Sequence, residues 1–332
     1  MAGFVNLAAT GPFRIQFRRV FAGVANPYTR ATEELRAMKK LHGLIASVGL
    51  FTASSALAAP VQDFHTFKAT PATTLTGQGT SSPVVGDLVA AANSANSAFV
   101  IGYLATPVIL GANVGDSITF SFGVSFNDAV GMSNNGDNFR FALFNENGET
   151  RETADNTATA GTANTDNYRG YILGVKNGAV GATGSGGSIR ERIAMLASGQ
   201  NAFAATGTNG ATAPSLGAVG GDPVVLTSDV NGDNAGADYT GVLTLTRAAG
   251  GVDITGSFNG TNNPAGTVGN IFSASDTTAN DSSTYGAIGF LIGNGLSVDQ
   301  LSFQNVEVVV PEPASLALLG LGGMAFLRRR RH

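Results

Sequence analysis

Between residues 98 and 310, apolar side chains return at every second position, in short runs separated by clusters of Gly, Asn and Asp. Residues 117–126 show it most clearly, with Ile118, Phe120, Phe122, Val124 and Phe126 on one face of an extended chain. Residues 138–145 gather Phe139, Phe141 and Leu143 on one side and Phe144 on the other. Residues 98–104 and 168–175 read as strands as well. Residues 188–196, with Ile189, Ile193 and Leu196, fit either a strand or a short helix. Residues 240–247 and 251–258 flank Ala248-Ala249-Gly250-Gly251, a hairpin turn by composition. Residues 285–292 and 298–310 close the set. The last run alternates Leu301, Phe303, Val306 and Val308, and its one-residue slip at Gln304-Asn305 predicts a bulge. Strands at this spacing, without a convincing long helix, predict an all-β, antiparallel β-sandwich over residues 98–310. The Thr/Ala/Pro-rich residues 59–97 are expected to be a flexible lead-in.

The two ends follow other rules. At the C-terminus, Pro311-Glu312-Pro313 stops any strand, because proline fixes φ and lacks a backbone donor. Residues 314–327 then carry no charge, and Arg328, Arg329, Arg330 and Arg331 follow. An apolar segment backed by four arginines is a stop-transfer pattern. Its 14 residues fall short of the roughly 20 that span a bilayer core, and Gly320, Gly322 and Gly323 weaken a helix there. A transient transmembrane helix tolerates both. Gly320-Leu321-Gly322-Gly323-Met324-Ala325 matches a dinucleotide fingerprint only by accident, since no βαβ context surrounds it.

At the N-terminus, Met38-Lys39-Lys40 precedes the apolar residues 41–57 and the small-x-small site Ala56-Leu57-Ala58. This is the build of a secretory signal peptide over residues 38–58, cut after Ala58. Residues 1–37, with Arg14, Arg18, Arg19, Arg30 and Arg36, are then expected to be a misassigned upstream extension, the alternative being a long amphipathic leader. The Sec translocon and signal peptidase are the implied partners, with Lys39, Lys40 and the terminal arginines left inside the membrane.

The tail residues Pro311, Glu312 and Pro313, the apolar run and the arginines together resemble the PEP-CTERM sorting tail of exported Gram-negative bacterial proteins. That resemblance implies recognition and cutting by the exosortase, a membrane transpeptidase-like protease, and a link to exopolysaccharide production. In the body, residues 139–144 and 303–308 resemble strands of concanavalin A-like and laminin-G-like jelly rolls, which implies a lectin-type sandwich.

Charge sharpens the picture. The formal net charge of −4 hides an asymmetry. Residues 59–310 keep 8 of the 19 basic side chains and 20 of the 23 acidic ones, a net of −12. Such a body is repelled by phosphate backbones, so no nucleic-acid partner is expected. The chain has no cysteine, which removes disulfides, thiolate metal sites and a Cys nucleophile.

Candidate chemistry is thin. Glu146, Glu149 and Glu152 are spaced by three in what reads as a solvated loop, not the paired carboxylates of a glycosidase strand. Of three histidines only His65 falls in the body, and it reads as a surface residue, too isolated for a triad or a zinc site. Asp229, Asn231, Asp233 and Asp238 begin like a calcium loop. Asn234 and Thr240 depart from that pattern where Gly and Glu are required, and the same residues serve ordinary turns. Structural calcium is the only cofactor in view. A sugar platform would need exposed rings. There is no Trp, leaving Tyr168, Tyr171 and Tyr239, with Arg140 between Phe139 and Phe141. Tyr168 and Tyr171, three apart, point to opposite faces, so at least one belongs to the core. The glycine-rich residues 181–187 lack the Lys-Ser/Thr of a phosphate loop. The expected protein is a non-enzymatic cell-surface or extracellular-matrix component with a structural or adhesive role in exopolysaccharide or biofilm. The alternative is a carbohydrate-binding, calcium-dependent module, and a glycan-active enzyme ranks last.

Overall fold

A computed structural model describes residues 57–67, 74–77, 79–86, 98–127, 139–155, 165, 167–176, 187–193, 203, 215–218, 238–260, 270–277, 283–293, 298 and 300–311. The chain divides into units 1–53 and 54–332, and every described residue belongs to the second. Residues 1–37, residues 38–56 of the expected signal peptide, the apolar tail segment and its arginines lie outside the described residues. Among the described residues, no helix is long and apolar enough to cross a membrane.

The fold is all-β and antiparallel, as the alternation predicts. Its strands are β1 (Leu57–Phe67), β2 (Thr74–Thr76), β3 (Val84–Gly86), β4 (Ala98–Ile109), β5 (Ser117–Asn127), β6 (Phe139–Asn145) and β7 (Arg169–Val175). Then come β8 (Gly187–Arg192), β9 (Ser215–Ala218), β10 (Asp238–Ala248), β11 (Gly251–Gly260), β12 (Asn270–Asp276), β13 (Thr284–Ile292) and β14 (Gln300–Val310). One sheet runs β12-β11-β10-β5-β14-β1, and the other runs β1-β4-β13-β6-β7-β8-β9. The short β2–β3 pair adds to β14.

Strand β1 belongs to both sheets. Leu57–Pro60 pair with β14, and from Val61 onward the strand pairs with β4, the change being marked by a register shift between Val61 and Asp63. Part of the segment expected as a lead-in therefore forms β1, β2 and β3, and Val61, Phe64 and Phe67 are fully buried. The Thr, Ala and Pro around these residues obscure their alternation. Residues 187–192 are strand, not helix: Tyr171 faces Glu191 across the β7–β8 ladder.

Between the sheets, the inward faces of β5, β6, β13 and β14 form a core of phenylalanines. Phe122 meets Phe141 edge-on at 5.1 Å and Phe290 at 4.8 Å, and Phe290 lies 4.2 Å from Phe303. Each ring so buried contributes about 1.5–3 kcal/mol. Gly241 of β10 lies against the Phe122 ring, where a Cβ would collide with it. The 248–251 hairpin forms as read, with Ala248 opposite Gly251. The bulge also forms. The β14–β5 register shifts between Gln304 and Glu307, and Asn305 adopts φ 49°. The backbone donors freed by this irregularity are taken up by residues 81–83: Phe303 donates to Pro83 O, Val306 to Ser81 O and Asn305 to Ser82 Oγ.

The second sheet is buried on both faces. Its outer side carries a separate cluster of Phe67, Phe99, Ile101, Tyr103, Ala142, Phe144, Tyr168, Ile172, Phe203, Ala287 and Leu291. Residues 98–104 of β4 and 285–292 of β13 are near-continuously apolar accordingly, since neither face meets water there.

Candidate functional site

Three groups of polar side chains are built into this frame. The first lies on the outer face of the second sheet, where residues 146–155 cross over the aromatic cluster. Tyr103 of β4 and Tyr168 have their hydroxyls 3.0 Å apart, and the Glu152 N–H donates to the Tyr103 oxygen at 3.1 Å. The Arg151 guanidinium stands 5.1 Å above the Tyr103 ring, a cation–π distance. Its Nε and Nη2 reach Glu146 Oε1 at 2.9 and 2.7 Å, and its Nη1 donates to Leu104 O at 2.7 Å. Gly286 leaves the room this ion pair occupies, for a Cβ there would strike the Glu146 carboxylate. Burial pushes both tyrosine hydroxyls above the ordinary phenol range, so they stay protonated and serve as hydrogen-bonding groups, not as bases.

The second group adjoins the first. His65 is buried, not at the surface, with Nε2 3.2 Å from Asp63 Oδ1 and Nδ1 3.9 Å from Asp155 Oδ1. Asp155 Oδ1 also accepts the Thr66 N–H at 2.8 Å, which ties residues 151–155 to β1. The 146–152 segment is consequently no solvated loop. Glu152 is buried, Glu146 pairs with Arg151, and Glu149 accepts a hydrogen bond from Asn167. The spacing of three that argued against a strand also hid these contacts, which depend on partners far away in sequence.

The third group lies between the sheets. The Tyr171 hydroxyl donates to Asp276 Oδ2 at 3.0 Å, and both residues are buried. Tyr285 is fully buried, and its hydroxyl has no hydrogen-bond partner among the described residues. Burial raises both pKa values; for Tyr171 the neighbouring Tyr285 and Asp276 add to the rise, and for Tyr285 the charge of Arg247 opposes it.

The residues expected to form a sugar platform do not come together. Tyr168 belongs to the outer cluster and Tyr171 to the inter-sheet core, the opposite faces that their spacing requires. Tyr239 is stacked on Phe258, with ring centres 5.3 Å apart and planes at 5°. All three are buried. Arg140 is half-buried and donates from Nη1 to Phe203 O at 2.8 Å, so it buttresses the outer cluster. Of the calcium residues, Asp238 is the first residue of β10, while Asp229, Asn231 and Asp233 lie outside the described residues. No group of three or more His, Cys, Asp or Glu among the described residues is placed to hold a metal. Sequence reading missed Tyr103, Arg151 and Asp155. The one available signal was the unbroken apolar run of β4, which implied a covered outer face.

At the C-terminal end, β14 finishes at Val310 and Pro311 follows it, exposed. Val310 and Val309 pair with Leu57 and Ala58, and Ala58 is exposed. Of the remaining sorting and cleavage residues, Ala56, Glu312, Pro313 and the terminal arginines lie outside the described residues.

Comparison with known proteins adds two findings. Residues 309–331 match the PEP-CTERM protein-sorting motif. The motif marks an exported protein sorted by an exosortase. No curated protein matches the chain. Among solved structures, the chain is similar to a peanut lectin bound to a nine-residue peptide, at 11% identity and a TM-score of 0.38, over 77% of this chain and 97% of that one. It is also similar to arcelin-5, a lectin-like defence protein from Phaseolus vulgaris, at 10% identity and a TM-score of 0.39, over 77% and 96%. The carbohydrate recognition domain of Emp47p aligns at 13% identity and a TM-score of 0.34, over 76% and 93%.

Proposed function

We propose that this protein is a non-catalytic component of the Gram-negative cell envelope, displayed at the outer surface or in the extracellular matrix. Its role there is structural or adhesive, in association with exopolysaccharide or biofilm. A signal peptide over residues 38–58 starts export, residues 98–310 with β1 form the displayed sandwich, and the apolar residues 314–327 hold the tail in the membrane until an exosortase acts. The observation that carries this reading is the sorting motif at residues 309–331, which overlaps the last two residues of β14. The acidic body suits a hydrated matrix, where like charges keep it soluble. The test is a chain truncated after Val310, expressed in a host with its exosortase. It should be released in soluble form, whereas the full chain stays with the envelope. Identical fractionation of the two would overturn the reading.

A second reading, carbohydrate binding, is favoured by the arrangement over the outer cluster. There Arg151, Asp63 and Asp155 are partly exposed above a buried aromatic floor. A sugar held there would be gripped by hydrogen bonds from charged groups, since the described tyrosines are covered. Glycan-array binding with and without a chelator tests it. Saturable binding that is lost on Asp155→Ala supports the site, and binding abolished by chelator would point to calcium.

A further inference from the structure

The sorting motif and the fold overlap. The motif begins at Val309, but β14 runs to Val310, so the motif's first two residues are part of the sheet. Their partners are specific. Val310 pairs with Leu57, and Val309 lies between Ala58 of β1 and Thr119 of β5. Neither valine is fully buried, Val310 packs against the edge of the core, and Ala58 is exposed, so pairing with Leu57 and Ala58 covers much of this corner. One step further in, Ala59 pairs with the fully buried Val308, and Val61 and Phe64 anchor the rest of β1 in the core.

The cut expected after Ala58 falls within this ladder. Water adds across the Ala58–Ala59 peptide bond, leaving a carboxylate on the released peptide and an α-ammonium on Ala59. The released piece takes Leu57 and Ala58 with it. Val310 loses its strand partner, and Val309 keeps only Thr119. Proteases that read a linear motif bind it as extended chain through its backbone donors and acceptors, and those groups are occupied while β1 covers them. Removal of the signal peptide leaves β1 from Ala59 onward in place and uncovers only the start of the motif.

We propose that signal-peptide cleavage licenses the sorting cut, by stripping the strand partners from Val309 and Val310. The inference rests on the export and sorting reading above. The sorting step then breaks one peptide bond of the tail, the acyl group passing to water or to an acceptor amine and the remainder leaving as a free amine. The two cuts thus occur in a fixed order, N-terminal first, although both sites lie at one corner of the domain.

The test uses the full chain in a host with its exosortase, followed by pulse-chase and intact mass at both ends. Ala58→Val blocks the signal cut while keeping a strand-forming residue opposite Val309. The blocked precursor should lose its tail about tenfold more slowly than the wild-type chain, the effect of one retained ladder hydrogen bond. Adding Leu57→Pro, which removes a backbone donor from the pairing, should restore tail processing with the signal peptide still attached. Protease resistance of the body confirms that each variant is folded. Equal tail processing in Ala58→Val and wild type overturns the proposal, as does a mature N-terminus other than Ala59. A wild-type tail that is retained whether or not the exosortase is present overturns the sorting reading itself and the proposal with it.

Discussion

Tyr171→Phe and Tyr285→Phe remove the same atom from two buried tyrosines in one neighbourhood, and the structure assigns them different outcomes. The Tyr171 hydroxyl donates at 3.0 Å to the buried Asp276 carboxylate, linking the end of β12 to the opposite sheet. A hydrogen bond to a charged group is worth about 1.5–3 kcal/mol, and its loss leaves a buried carboxylate with one donor fewer. The Tyr285 hydroxyl is buried with no partner among the described residues. Its desolvation is therefore uncompensated, and deleting it should be neutral or stabilising by about 1 kcal/mol. For a body of this length, 1 kcal/mol moves Tm by roughly 2–4 °C. Tyr171→Phe should lower Tm by about 3–12 °C, and Tyr285→Phe should leave it level or raise it slightly. Urea unfolding at pH 7 provides the matching free energies, and unchanged m-values would confirm that the effect lies in the folded state. If the two variants agree to within ~0.5 kcal/mol, the inter-sheet hydrogen bond does not carry the energy assigned to it.

Gly241→Ala should destabilise by about 1–3 kcal/mol, because the new methyl displaces the Phe122 ring at the centre of the core; denaturant unfolding reads it, and a neutral result would mean the ring moves freely. Arg151→Ala leaves the largely covered Glu146 carboxylate without its cation, and should loosen residues 146–155, raising amide exchange there about tenfold or more while β5 and β14 are unaffected. Alkaline titration provides another check. Burial raises the hydroxyl pKa values of Tyr103, Tyr168, Tyr171 and Tyr285 above those of the unfolded chain. The stability from these groups is fully present below the unfolded value, near pH 10, and is lost as pH rises toward the folded values. Stability limited by these four should hold to about pH 9.5 and then fall, with tyrosinate absorbance from the buried rings appearing together with unfolding. Tyrosinate absorbance from all four before any loss of structure would contradict it.

How far the sequence could be read depended on whether each strand had a wet side. Strands β5, β10 and β14 alternate plainly, because one face enters the phenylalanine core and the other meets solvent or small neighbours, and the Gln304-Asn305 irregularity showed as a slip in that alternation. Residues 98–104 and 285–292 read as strands, but their residues are apolar on both faces, which identifies burial without saying what covers the second face. Strand β1 was hidden because its function changes partway along: Pro60 and the Val61–Asp63 register shift break its alternation where it leaves one sheet for the other. The tyrosines expected to bind a ligand are all buried, Tyr168 in the outer cluster and Tyr171 and Tyr239 between the sheets, so none is left as a platform. His65 read as a surface residue and is buried, because its neighbours Asp155 and Tyr103 are brought to it by tertiary packing.

The place of β14 constrains the timing of folding. It is the last strand among the described residues, yet it lies between β5 on one side and β1 and β3 on the other. A polypeptide threaded across a membrane from its N-terminus delivers that strand at the very end. Until then the first sheet lacks its middle, and the waiting pieces expose unpaired edges that can aggregate. Closing a loop of some 250 residues adds little entropy beyond that of a shorter one, because the cost grows only with the logarithm of length. The delay is therefore one of waiting for chain more than of the entropy of closing it, and a chaperone that caps strand edges would act mainly in that interval.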